Sequence, residues 1–153
     1  GIEVVTAGVE DKVLIGAHSI KIEMDKRVDE VNSSDFDMIV LPGGLPNAFT
    51  LADDNDVQRL LKEFEEKNKK IGAICAAPYA LHKAGVLNQN YTCYPSFEKK
   101  IKDDGYQDDK NVVTDNNVIT SRGPATAIDF ALEIVKTLKG DDIYFQVKTG
   151  LLA

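Results

Sequence analysis

The chain has 153 residues, 43% of them hydrophobic and 28% charged, with a net charge of −7. That length suits one compact domain with a real core, and the acidic balance, without any Lys/Arg cluster, argues against nucleic acid or an anionic membrane as the main partner. Two histidines and two cysteines outside any CxxC pattern exclude a His-rich metal cluster and a zinc site. No apolar run is long enough to span a bilayer and no secretory pattern opens the sequence, so two free thiols in a cytoplasmic setting are expected.

Residues 2–7 (IEVVTA) are a β-branched run ended by Gly8 and predict a strand. Residues 13–16 and 20–23 predict two short extended pieces around Ala17, His18 and Ser19. Residues 38–41 are an apolar run stopped by Pro42, Gly43 and Gly44, the pattern of a strand buried on both faces. Asp53 and Asp54 suit the cap of a helix whose apolar positions Val57, Leu60, Leu61 and Phe64 keep helical spacing. Residues 71–74 predict the next buried strand, running straight into Cys75. A helix over 76–84, stopped by Gly85, follows, then a short helix over 95–104. Residues 112–114 and 118–121 pair around the turn-forming Asp115, Asn116 and Asn117. Pro124 opens a long helix through Leu138, ended by Gly140, and an amphipathic piece covers 141–152. Strands alternating with helices predict a single doubly wound α/β domain.

In such sheets, sites gather at the carboxyl ends of the strands. Three of these ends carry unusual residues. Gly43 and Gly44 follow a buried strand, where backbone N–H groups can approach an oxyanion, or simply make a tight turn. Cys75 sits between strand and helix, where an elbow nucleophile sits, or is a buried structural thiol. A helix start lowers a thiol pKa, so Cys75 is the cysteine expected to be acid-shifted and oxidised first, with strained backbone angles. Arg122, before Gly123 and Pro124, suits a carboxylate or sulfur-oxyanion clamp, or a structural ion pair. Tyr94 is a hydrogen-bonding candidate. Cys93 is either an inert core thiol or a resolving cysteine close to Cys75. His82, about 10 Å along the helix from Cys75, is out of reach as its base, and His18, in an early loop of open location, is expected at the surface rather than as a base.

Four blocks carry a resemblance: FDMIVLPGG at 36–44, IGAICAAP at 71–78, CYPSFE at 93–98 and TSRGPATAIDFAL at 120–132. Together they resemble the ThiJ/PfpI superfamily, on the branch of the parkinsonism-associated deglycase and its bacterial relatives. The resemblance implies a flavodoxin-like sandwich with a mainly parallel sheet, a homodimer, and Cys75 as nucleophile. It also implies an oxyanion pocket from the N–H groups of Gly44 and Ala76. Implied activities are cofactor-free conversion of 2-oxoaldehydes to hydroxy acids, repair of glycated protein, and, as the alternative, a redox-sensing or chaperone role in which Cys75 is oxidised rather than catalytic.

Three departures qualify this. Ala76 stands where peptidase-type relatives have the histidine after the nucleophile, which argues against peptidase and amidotransferase activity. Tyr94 replaces a histidine, and tyrosine is a poor base at neutral pH. The family's opening strand and helix, with a glutamate that contacts the cysteine, have no counterpart here. An N-terminally incomplete domain is therefore expected, with the strand at 2–7 at a sheet edge and a bound N-terminal fragment of the same gene product as a candidate partner.

Overall fold

The computed structural model describes residues 1–16, 18–101 and 104–153. The loop position Ala17, and Lys102 and Asp103 of the helix predicted over 95–104, fall outside that set.

A four-stranded sheet forms the centre: β5 (Met38–Leu41), β6 (Lys70–Ile74), β7 (Val112–Asp115) and β8 (Val118–Ser121), in the order β5-β6-β8-β7. β5, β6 and β8 run parallel and β7 returns antiparallel against β8. This is the mainly parallel α/β, flavodoxin-like architecture that the alternating pattern predicts. Two small pairings lie outside it. β1 (Ala7–Gly8) pairs with β4 (Lys26–Arg27), and β2 (Val13–Ile15) forms a hairpin with β3 (Lys21–Glu23).

The helices cover the two faces. α1 (Asn47–Asp53) and α2 (Asn55–Glu66) follow β5, and α3 (Pro78–Ala84) follows β6. Asp54 caps α2 by accepting from the Val57 N–H at 2.9 Å, and Val57, Leu60, Leu61 and Phe64 are buried. Each such side chain contributes about 1.5–3 kcal/mol on burial. With Ile71 and Ala73 of β6 and Ala77, Ala80 and Leu81 around α3 they form the main core. Gly72 points the other way, toward Phe130 of α5 (Ala127–Lys139), whose ring would stand 3.1 Å from a Cβ there. α4 (Glu98–Ile101) is a single turn. α6 (Asp141–Leu151) packs on α5 but buries no residue fully.

Lys69, just before β6, ties these layers together. Its ammonium donates to the carbonyls of Ser33 (2.7 Å), Phe36 (2.6 Å) and Ser34 (3.3 Å), and lies 5.6 Å from the centre of the Phe64 ring.

Three expectations change. Residues 2–6 form no strand; only Ala7 and Gly8 pair, and with β4 rather than the main sheet. β-branched residues favour a strand only where a sheet edge receives them. β5 is an edge strand, and Val40 is 44% exposed rather than buried on both faces. The helix after Cys75 begins at Pro78, with Ala77 at its N-cap, because Cys75, Ala76 and Ala77 make a turn. Beside β5 lies an open groove of about 1840 Å³ bordered by Ile2, Val4, Met38, Val40, Ile134 and Leu138.

Candidate active site

Three strand ends meet at the carboxyl edge of the sheet. Pairing sets Leu41 opposite Ala73 and Ile74 opposite Ser121. The residues that follow, Pro42 to Gly44, Cys75, and Arg122, therefore emerge side by side. The Cys75 N–H extends the ladder by donating to the Ser121 carbonyl at 2.9 Å.

There the regular backbone ends. Cys75 has φ +65°, a left-handed conformation costing a non-glycine residue about 1–2 kcal/mol. This is the strain expected of an elbow residue. Two hydrogen bonds hold it: Ala77 N–H to the Ile74 carbonyl at 3.2 Å, and Tyr94 N–H to the Cys75 carbonyl at 2.8 Å.

Gly43 lies directly against the turn. A Cβ there would stand 2.6 Å from Cys75 Cβ, 2.7 Å from the Ile74 oxygen and 3.0 Å from the Ala76 nitrogen. Only glycine fits. Gly44 faces open space at φ +89°. Asn47 ties down this loop, its Nδ2 donating to the carbonyls of Pro42 (3.2 Å) and Gly43 (3.1 Å). Among the described residues the N–H groups of Gly44 and Ala76 donate to nothing, although Ala76 is buried. Buried N–H groups are paired in the great majority of cases.

The third strand end is equally fixed. Ser121 Oγ donates to the Asn111 carbonyl at 2.8 Å and lies 2.7 Å from Thr126 Oγ1, which also accepts from the Gly123 N–H at 3.1 Å. Tyr94 is half exposed with its ring against Gly123.

Cys93 has a different environment. It is fully buried in a cluster with Ala76, Tyr91 and Phe97, against which Cys75 packs. Burial, reinforced by the Glu98 carboxylate and partly opposed by a hydrogen bond from the Glu98 N–H, pushes its thiol up to about 12. A thiol protonated at neutral pH is a poor resolving group, so the inert alternative is favoured. The Glu98 Oε2 atom is enclosed and has no hydrogen-bond partner among the described residues. His18 and His82 are exposed.

The structure thus gathers Gly43, Gly44, Cys75, Ala76, Tyr94 and Arg122 at one edge. Sequence reasoning missed α1 with Asn47, the Ser121–Thr126–Asn111 ties, and Glu98. For α1 a signal existed: Pro46 and Asn47 precede apolar Ala48, Leu51 and Ala52 at helical spacing. For the other two, only proximity in space reveals the role.

A parallel-sheet α/β fold with a strained cysteine after a central strand and a glycine pressed against it defines a flavodoxin-like protein of elbow-cysteine type. The chain belongs to the DJ-1/PfpI family, whose model matches residues 1–137. It is 40% identical to the protein dj-1beta of Drosophila melanogaster, over 99% of this chain and 83% of the relative. The crystal structure of that DJ-1beta superposes with a TM-score of 0.93. Similarity to the glutathione-independent glyoxalase DJR-1.2 of Caenorhabditis elegans is 38% identity over 93% of this chain and 76% of the relative. Toxoplasma gondii DJ-1 in its oxidized form is 31% identical with a TM-score of 0.91, over 98% of this chain and 83% of that one.

Proposed function

We propose that the chain is a cofactor-free, cysteine-dependent enzyme acting on reactive 2-oxoaldehydes or glycated protein. The supporting observation is the pair of undonated N–H groups, Gly44 and Ala76, flanking Cys75 at φ +65°. In this reading the Cys75 thiolate adds to the aldehyde carbon. The carbonyl electron pair moves to oxygen, and the two N–H groups hold the oxyanion. A proton then passes from the aldehyde carbon to the neighbouring carbon, leaving a thioester that water hydrolyses to the 2-hydroxy acid and free thiol. The glyoxalase named among the relatives agrees with this chemistry. Methylglyoxal consumption by the full-length protein and by its Cys75→Ser variant tests it; equal rates sink the enzyme reading.

For the proton relay we propose a glutamate on an added strand and helix seated in the groove beside β5. Support comes from the edge of β5, unpaired among the described residues, and from the apolar Met38, Val40, Ile134 and Leu138 along the groove. Hydrogen exchange tests it: protected outward amides in Met38–Leu41 of the 153-residue chain alone would argue that this edge is already closed.

A second reading, oxidation of Cys75 by peroxide to a sulfinate held by the same N–H groups, is favoured by the contrast between half-buried Cys75 and enclosed Cys93. We also propose a cytoplasmic homodimer. Exposed Ile15 and Ile20 on the β2–β3 hairpin support the pairing, and light scattering tests it. Among the described residues no helix is long and apolar enough to cross a membrane.

A further inference from the structure

Arg122 follows the residue whose carbonyl receives the Cys75 N–H at 2.9 Å. By standard backbone dimensions its Cα therefore lies within roughly 7 Å of the Cys75 Cα. The turn that carries it is pinned on both sides by Asn111 and Thr126. Among the described residues its guanidinium makes no ion pair and no hydrogen bond. Its charge reaches the cysteine side of the turn, because it pulls down the thiol of Cys93 and the phenol of Tyr106 against their upward shifts. Glu98 lies in the same neighbourhood and, like Arg122, is half exposed, with its Oε2 enclosed.

A planar fork of five donors with no protein acceptor among the described residues matches a carboxylate. We propose that Arg122 reads an anionic group on the substrate, so that the Cys75 site favours 2-oxoaldehydes bearing a carboxylate over neutral ones. The substrate class rests on the glyoxalase reading above; the anion-reading role of Arg122 does not.

Two measurements keep those apart. The first is the rate at which iodoacetate alkylates Cys75 relative to iodoacetamide, followed on the Cys75 peptide by mass spectrometry. The anionic-to-neutral rate ratio is expected to fall at least threefold in Arg122→Met and less in Arg122→Lys, which keeps the charge. An unchanged ratio in Arg122→Met overturns the proposal whether or not the chain turns over any aldehyde. The second compares kcat/KM for 4,5-dioxopentanoate, a 2-oxoaldehyde with a carboxylate, against methylglyoxal. Arg122→Met is expected to lower the first about tenfold and the second less than threefold. An equal fall in both, or a fall in neither, overturns the specificity role. If neither aldehyde is consumed while the alkylation ratio still falls, Arg122 stands as an anion-reading residue and only the glyoxalase reading is lost.

Discussion

Replacing Gly43 with alanine places a methyl group where the structure has no room for one. Its carbon would meet Cys75 Cβ at 2.6 Å, the Ile74 oxygen at 2.7 Å and the Ala76 nitrogen at 3.0 Å. Ordinary carbon contacts lie at about 3.5–4.0 Å, so the loop carrying Gly43 and Gly44 must retreat by about 1 Å. Two of the three obstructing atoms are backbone, tied into the Cys75 turn, and do not rotate away. Overpacking of this kind costs about 1–3 kcal/mol. A 1 Å misplacement of reacting groups costs on the order of 100-fold in rate. Gly44→Ala is the matched comparison, because it meets no neighbour within 4 Å but is strained by its φ of +89°. It should lose about 1–2 kcal/mol of stability while leaving Cys75 unmoved. Urea midpoints and the iodoacetamide reactivity of Cys75 separate the two. Gly43→Ala is expected to alter both measurements, and Gly44→Ala only the midpoint. Cys75 reactivity within twofold of native in Gly43→Ala would refute the argument that close approach positions the thiol.

Peroxide should modify Cys75 first and spare Cys93, which is enclosed and protonated; preferential modification of Cys93 on peptide mapping contradicts this. Cys93 keeps its proton up to about pH 12 when folded, whereas an unperturbed thiol releases it near 9.0. Its contribution to stability is therefore whole below about pH 9 and declines as pH rises toward 12, with a slope of at most about 1.4 kcal/mol per pH unit. Cys93→Ala should flatten the fall of the urea midpoint between pH 9 and 11, and an unchanged slope would count against the shift. Lys69→Met strands three carbonyl acceptors, in Ser33, Ser34 and Phe36, and should cost about 1–3 kcal/mol; a loss under 0.5 kcal/mol, by order of magnitude within surface-substitution noise, would show that water replaces the ammonium freely.

Local chemistry was the most legible part of the sequence. The Asp54 cap, the buried face of α2, the Gly85 stop and the β7–β8 hairpin around Asn116 each depend on residues within a few positions of one another. Cys75 was legible for the same reason, since a short apolar strand and a following helix bracket it. Residues 2–6 misled because the four β-branched residues Ile2, Val4, Val5 and Thr6 show propensity, not a partner strand. Val40 misled because its apolarity does not reveal that β5 is an edge. Arg122 was visible as a candidate, but its lack of a counter-ion among the described residues is a fact of packing. Cys93 stayed ambiguous until burial decided which thiol is passive.

The site's parts come from distant stretches of chain: β5 and β6 are roughly thirty residues apart in register and β6 and β8 roughly fifty. Beside the local bond from the Ala77 N–H to the Ile74 carbonyl, Cys75 at φ +65° is held by distant parts of the chain: Gly43 on one side and Ser121 and Tyr94 on the other. Each of those contacts exists only after a long loop has closed and lost its entropy. The left-handed turn at Cys75 is thus expected to form late in the folding reaction. A chain with α2 and the β7–β8 hairpin already formed would still carry an ordinary, relaxed thiol there. Stopped-flow alkylation during refolding is therefore expected to register the closing of the parallel sheet as a change in the reactivity of Cys75, and a reactivity that settles before the sheet closes would contradict this.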